Sequence, residues 1–439
     1  MKPKRISREK QGNFLYPELM DQLNPKDPLL VLGKKIPWKK IEDAFIDLYS
    51  NKGRRAKPIR LMVGLLILKQ LEDLSDEEIV QAWVRNPYYQ AFCGESRFRW
   101  QFPCDSSDLT YFRKRIGEKG AELIFKISVE LHGNQAKEKE IVVDTTVQEK
   151  NITFPTDVKL LRKVIEKCCH IARECGIKLR RSFKRELPGL LMKRLKNNKV
   201  VKRIRTMAGV LIRELERKLP KEGLARYADQ LNLFARVHNQ KRNSKNKIYS
   251  LHEPDVSCIA KGKDHKKYEF GSKVSFAMTK TNNILVGVMN FKDNPYDGHT
   301  LPPVLDQVED ITGSRPQSVF CDRGYKGKKM SKGTNIFLPV APRKDYSPYQ
   351  KRKMRQNFRR RVAIEPVIGH VKNDFRMDRN YLKGIIGDVI NAFMSAAAFN
   401  FRKLLRNWGH FFIFLYFWHL KLSISNIGNQ IRQPLQAKI

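Results

Sequence analysis

A short β-branched run followed by a long charged detour sets the main constraint on how this chain folds. EIVVDTTVQ, residues 140–148, places Ile141, Val142 and Val143 side by side and reads as a buried strand ending at Asp144. Strand patterning resumes only at 268–278, YEFGSKVSFAM, and 284–291, ILVGVMNF, with Thr281, Asn282 and Asn283 between them as a hairpin turn. The residues between, 157–247, have helical periodicity broken at Pro188 and Pro220, and carry 27 Lys or Arg against 8 Asp or Glu. The first strand therefore finds its partners beyond an all-helical insertion with a strongly basic face.

After the hairpin, GHTLPPVLDQVEDITG (298–313) reads as a helix ending at glycine. QSVFCDRGY (317–325) reads as a strand running into a turn at Gly324, TNIFLPVA (334–341) as a fifth strand, and the segment around Glu365 as the last long helix. Strand, helical insertion, hairpin, helix, strand, strand, helix is an α/β order. Ahead of it, residues 1–30 read as an irregular arm and 31–135 as a helical N-terminal domain. PIRLMVGLLILKQLEDL, starting at Pro58, is apolar nearly all round and so largely buried. Ser75 and Glu78 form a capping box for a second helix. A third begins near CDSSDLTYFRKRIGEKG, with Ser106 or Ser107 as cap and Arg113, Lys114 and Arg115 on its first turns. These helices suit a helix-turn-helix DNA reader, with Arg113 and Arg115 as candidate contacts, or a plain bundle with a basic face.

The charge balance narrows the partner. Lys and Arg number 86 against 45 Asp and Glu, a net charge of +41 with a pI near 10.0. Such self-repulsion is relieved by a polyanion, and nucleic acid is the expected one, ahead of a membrane surface or a ribosomal role. The seven cysteines match no zinc-ribbon or finger spacing and read as reduced thiols of a cytoplasmic, nucleoid-associated protein. MKPKRISREKQG, residues 1–12, is basic and polar with no apolar segment after it, so no secretory signal is expected. FFIFLYFW (411–418) is far shorter than the roughly 20 residues a bilayer requires and reads as a buried terminal helix, so no membrane partner is expected.

Three carboxylates fall where chemistry gathers: Asp144 and Asp322 at strand ends and Glu365 on the last long helix. Brought together, they would repel unless a cation sat among them, and an all-oxygen donor set favours Mg²⁺ or Mn²⁺. Two such ions roughly 3.5–4 Å apart stabilise both the attacking and leaving oxygens of a phosphoryl displacement. Around the third acid, FRRRVAIEPVIGHVKND (358–374) sets Arg361, Glu365 and Lys372 on one helical face, where the two cations can hold phosphates. Pro366 requires that the helix either start near Ile364 or bend there. Tyr325 and Lys326, next to Asp322, are further candidates for the DNA backbone. His299 and His370 read as structural.

VVDTT, FCDRGYKG and FRRRVAIEPVIGHVK together resemble the three acidic blocks of bacterial insertion-sequence transposases of the DDE class. The last block is similar to that family's Tyr-x2-Arg-x3-Glu-x6-Lys signature, here Phe358, Arg361, Glu365 and Lys372, with phenylalanine in place of tyrosine. The resemblance covers roughly residues 30–405. It implies a ribonuclease-H-like core at 136–156 and 248–405, with 157–247 as the insertion and 406–439 as a tail. It implies that Asp144, Asp322 and Glu365 bind two Mg²⁺ ions, with Mn²⁺ able to substitute. DNA at the transposon ends would be hydrolysed and the freed 3′ hydroxyl joined to target DNA, by a homodimer or larger assembly pairing two ends. Better-known relatives place their insertion between the last strand and the catalytic helix, whereas here it follows the first strand. The competing readings are a stand-alone metal-dependent nuclease and an inactive DNA-binding remnant.

Overall fold

The computed structural model describes residues 2–3, 17–192, 198–241, 243–260, 266–327, 329–339 and 345–406. Six helices come first: α1 (Pro28–Lys35), α2 (Trp38–Ile46), α3 (Ile59–Leu71), α4 (Asp76–Arg85), α5 (Pro87–Phe92) and α6 (Ser106–Glu130). The expected arm is thus shorter than 30 residues, because Asp27 caps α1 by accepting from the N–H groups of Leu29 and Leu30. The Ser75–Glu78 capping box opens α4. At α6 the cap is Asp105 and not a serine: its carboxylate accepts from Ser107 N at 2.8 Å while Asp108 receives the Asp105 N–H. An ionised acceptor makes the stronger bond to an unpaired helix N–H.

Strand β1 (Glu140–Lys150) is the hub of the sheet. It is longer than its β-branched run predicts, so Asp144 lies inside the strand and not at its end. The reason is β3 (Tyr268–Thr279), which pairs antiparallel with β1 from Ile141↔Thr279 to Glu149↔Gly271. Gly271 permits that approach: a Cβ there would lie 1.9 Å from Gln148 O. On its other side β1 pairs parallel with β5 (Ser318–Phe320) only as far as Val142↔Phe320. From Val143 to Gln148 that flank of β1 has no strand partner among the described residues. The far edge of β3 carries β2 (Ser257–Ala260) and then β4 (Leu285–Phe291), both antiparallel. Beyond β5 come parallel β7 (Thr334–Phe337) and the short β6 (Met330–Ser331), and β8 (Arg379–Asn380) pairs with the end of β1.

Among the described residues, four helices follow β1 before β2: α7 (Asp157–Glu174), α8 (Glu186–Met192), α9 (Asn198–Lys218) and α10 (Lys221–Asn239), with Pro220 separating the last two. They enclose a core of their own, built on Leu161, Val164, Ile204, Leu211 and Phe234. By contrast, the N-terminal helices and the sheet share one continuous core, so 31–135 is not a separately cored unit. Helix α3 explains this. Nearly every residue from Ile59 to Leu71 is buried, so it needs partners on all sides. The sheet's own helices supply them: Gln70 Nε2 donates to Phe375 O at 2.6 Å and to Ser395 Oγ at 2.8 Å.

The sheet is covered on one face by α11 (Asp297–Thr312), which ends at Gly313 in the left-handed region (φ 75°). On the other lie α13 (Ile364–Asp374), preceded by α12 (Pro348–Arg361), and a final helix α14 (Gly384–Arg406) that the sequence reading did not anticipate. Helix α14 is long and apolar enough to cross a membrane, yet 72% of its apolar window is buried in the protein. Its polar groups bind the sheet: Asn391 to Gln148, Asn400 to Leu285, and Asp388 to the buried Lys150 at 2.6 Å. The apolar stretch 411–418 lies outside the described residues.

Arg113, a candidate DNA contact, is only 6% exposed. Its guanidinium grips Asp76 through both terminal nitrogens, and Lys69 Nζ donates to the same carboxylate at 2.6 Å, joining α3, α4 and α6. Burial raises the Asp76 pKa, but the Arg113 hydrogen bonds and the Lys69 charge outweigh it and hold the group below its ordinary value. Arg113 is therefore a structural residue. Replacing Asp76 with Ala, which strips both buried cations of their carboxylate, is expected to cost about 3–5 kcal/mol of stability. The measurement is the urea midpoint at unchanged m-value, and a loss below about 1 kcal/mol would contradict this role.

Candidate active site

Beside the unpaired stretch of β1, Asp144 has the charges of Asp322 and Glu365 as neighbours. Asp144 sits in the strand with its side chain 15% exposed, and its Oδ1 accepts the backbone N–H of Thr145 at 2.8 Å. Asp322 follows the end of β5 and caps a short 3-10 turn, Arg323–Tyr325, by accepting from Gly324 N at 2.7 Å. Glu365 stands in the first turn of α13. The question raised by Pro366 is resolved by two helices: α12 stops at Arg361, α13 starts at Ile364, and Pro366 falls in the new first turn where its missing N–H is harmless.

Arg361 spans the break. Its Nη2 donates to Asp144 Oδ2 at 2.9 Å and its Nη1 to Glu365 Oε1 at 3.1 Å, so one guanidinium bridges acids from a strand and a helix. The group is itself 14% exposed, while Glu365 is 55% exposed. Burial pushes the Asp144 carboxyl up to about 6; Arg361 and the Thr145 N–H oppose the rise, and the nearby charges of Asp322 and Glu365 add to it. Asp322 and Glu365 therefore both lie near enough to act on Asp144.

Sequence reasoning missed a fourth carboxylate. Asp297, the first residue of α11, accepts from Thr145 Oγ1 at 2.9 Å and from Lys273 Nζ at 2.8 Å. The signal was present in DNPYDGHTL, but attention fell on His299, which is exposed and packs edge-on against Tyr296. Asp297 was legible only as one acid in a polar loop.

Other candidates divide by burial. Tyr325 is 2% exposed, so it packs beneath the turn and is not placed to touch DNA. Lys326 beside it is exposed, as is Arg115, whose guanidinium lies 4.3 Å over the Tyr49 ring. Lys372 is half-buried two turns beyond Glu365 on α13. Phe358, at the signature tyrosine position, packs edge-on against Phe320 with ring centroids 6.4 Å apart. His370 pairs with Asp374 at 2.7 Å on the helix surface. All seven cysteines are free. Every charged residue of α12 is Lys or Arg, so a wholly cationic helix leads into the site.

A hard divalent cation suits this donor chemistry, since every candidate ligand is a carboxylate oxygen and a positive group already lies between two of them. Among the described residues, no three His, Cys, Asp or Glu side chains stand close enough to hold one ion together. The Arg361 guanidinium holds the place between Asp144 and Glu365.

The raised Asp144 pKa has a stability consequence. An unfolded Asp ionises near 4, so between about pH 4 and 6 the folded state holds the extra proton and stability falls as pH rises. Above pH 6 the full penalty, about 3 kcal/mol, is present. In chelator, Asp144→Asn is expected to melt at a higher temperature than the parent at pH 7.5, with the gap closing towards pH 4. Equal melting temperatures at pH 7.5 would contradict the buried-charge reading.

Residues 17–115 match the family model of a transposase domain (DUF772), and residues 234–401 match that of the transposase DDE domain. The second match includes Asp322 and Glu365, whereas β1 and Asp144 lie ahead of it, across the helical insertion. An uncharacterized protein, ORF8 in the nfe locus of Rhizobium meliloti, is 44% identical over 191 residues, which make up 42% of this chain and 91% of that protein. No solved structure matches the chain. The DDE domain is ribonuclease-H-like in general, and a mixed sheet with a helical N-terminal region accords with it. The chain belongs to the insertion-sequence transposases that carry a transposase DDE domain.

Proposed function

We propose that this transposase cleaves phosphodiester bonds at the ends of its DNA element and joins the 3′ hydroxyls to target DNA, using two divalent ions held by Asp144, Asp322 and Glu365. The observation that carries the reading is the single guanidinium bridging Asp144 and Glu365, with Asp322 near enough to act on Asp144. Mg²⁺ is the expected ion and Mn²⁺ a substitute. When bound, such ions supply Lewis-acid stabilisation to the attacking and leaving oxygens.

The chain's own residues prepare the site. Arg361 balances two of the acids until they ligate an ion, and its guanidinium is then free to grip a DNA phosphate. The cations of α12 line the approach, with Lys326 and Lys372 near the scissile bond and Arg115 on the N-terminal helices. Two copies of the chain or more would pair the two element ends.

Asp144→Asn is expected to abolish Mg²⁺-dependent cleavage of end-bearing DNA while binding survives or tightens, because a negative charge is lost. Cleavage equal to the parent's would defeat the assignment. Supplying a second DNA molecule separates transposition from simple nuclease action, since only a transposase joins the cut ends. Binding itself should weaken steeply with salt. Exchanging Arg359 and Arg360 for Ser should flatten the plot of log affinity against log salt by about 2 units, the loss of roughly two phosphate contacts. An unchanged slope would remove α12 from the DNA path.

A further inference from the structure

Each of the two aspartates beside the unpaired stretch of β1 is held by one backbone N–H, and Asp297 lies beside both donor residues, Thr145 and Gly324. Thr145 N donates to Asp144 Oδ1 at 2.8 Å, and the same residue's Oγ1 donates to Asp297 Oδ1 at 2.9 Å. Gly324 N donates to Asp322 Oδ1 at 2.7 Å. Gly324 also lies against the other oxygen of Asp297: a Cβ on it would meet Asp297 Oδ2 at 2.9 Å and Asp322 Oδ1 at the same distance. Asp297 thus hydrogen-bonds the residue that orients Asp144 and lies close to the one that orients Asp322.

Its own position is fixed from the sheet. Lys273 Nζ donates to Asp297 Oδ1 at 2.8 Å and to Pro295 O at 2.7 Å, pinning the start of α11 to β3. Thr145 and Asp144 are consecutive strand residues and point to opposite faces, so Asp297 reaches Asp144 only through the Thr145 peptide. With Oδ1 taken by a hydroxyl and an ammonium, and its charge balanced by Lys273, Asp297 is suited to hold neighbours in place.

We propose that Asp297 is a positioning residue that sets the spacing of Asp144 and Asp322 through Thr145 and Gly324; this rests on the metal-dependent reading above. Groups behind a metal's ligands fix their orientation, and losing one typically weakens metal binding by roughly 10–100-fold. The brace has a further consequence for Gly324. A Cβ there would meet both carboxylates at 2.9 Å, so a side chain in the turn after Asp322 would have to displace both of them.

The test is Mn²⁺ titration of the DNA-free, full-length protein by calorimetry, alongside cleavage of end-bearing DNA. Asp297→Ala and Thr145→Val are each expected to weaken Mn²⁺ binding by roughly tenfold or more, with DNA affinity unchanged. Thr145→Ser, which keeps the hydroxyl, should restore it. The double variant should be no worse than the weaker single, because both break one path. Parent-like Mn²⁺ binding in Asp297→Ala and Thr145→Val would overturn the proposal, as would Thr145→Ser behaving like Thr145→Val. Should Asp297→Ala fail to fold, the Thr145 pair decides alone. Asp144→Asn is the control: if it binds Mn²⁺ like the parent, the metal reading falls, and the brace with it. If it loses binding while the Asp297 and Thr145 variants keep it, only the brace falls.

Discussion

The uneven pairing of β1 governs the rest of the molecule. On one side a continuous antiparallel ladder to β3 runs from Ile141 to Glu149, and on the other three residues pair with β5 before that strand turns away. The ladder holds Asp144 inside the sheet, and the missing neighbour beyond Val142 leaves a gap in the pairing beside it. Asp322 enters the gap because it follows the last residues of β5. Arg361 and Glu365 enter from the break between α12 and α13.

Charge is organised around that gap. The chain carries a net +41, and much of the excess lies in the helical insertion and in α12, which ends beside the acids. The cations face a polyanionic partner, while the carboxylates that would repel it are few and partly enclosed. Arg361 belongs to both populations, since it ends the cationic helix and neutralises Asp144 and Glu365. Lys273 does the same for Asp297 on the other face of the sheet. Asp144, Glu365 and Asp297 are thus each matched by a base from another element, which offsets their mutual repulsion.

The division into cores follows from helix character. Helix α3 is apolar all round and must be enclosed, so it fuses the N-terminal helices with the sheet and α14 into a single core. The inserted helices α7, α9 and α10 each have one apolar stripe, which they satisfy among themselves. That self-sufficiency lets some ninety residues be spliced between β1 and its partners without altering the sheet.

The sequence by itself determined the elements whose signals are local. Alternation and β-branching marked β1, β3 and β4, the Ser75 box opened α4, Gly313 closed α11, and the spacing of Arg361 and Glu365 survived the helix break as a direct contact. Motif spacing and the excess of basic charge also singled out Asp144, Asp322 and Glu365, and the structure sets Arg361 against the first and the last of them. Only the tertiary structure decided how far β1 runs, because its extension depends on a partner more than a hundred residues away. It alone buried Arg113 and Tyr325, which look like surface groups until Asp76 and the turn after β5 close over them. It also gave Asp297 its place, since the contacts of that residue come from β1, β3 and the turn at Gly324, and no window of sequence contains all three.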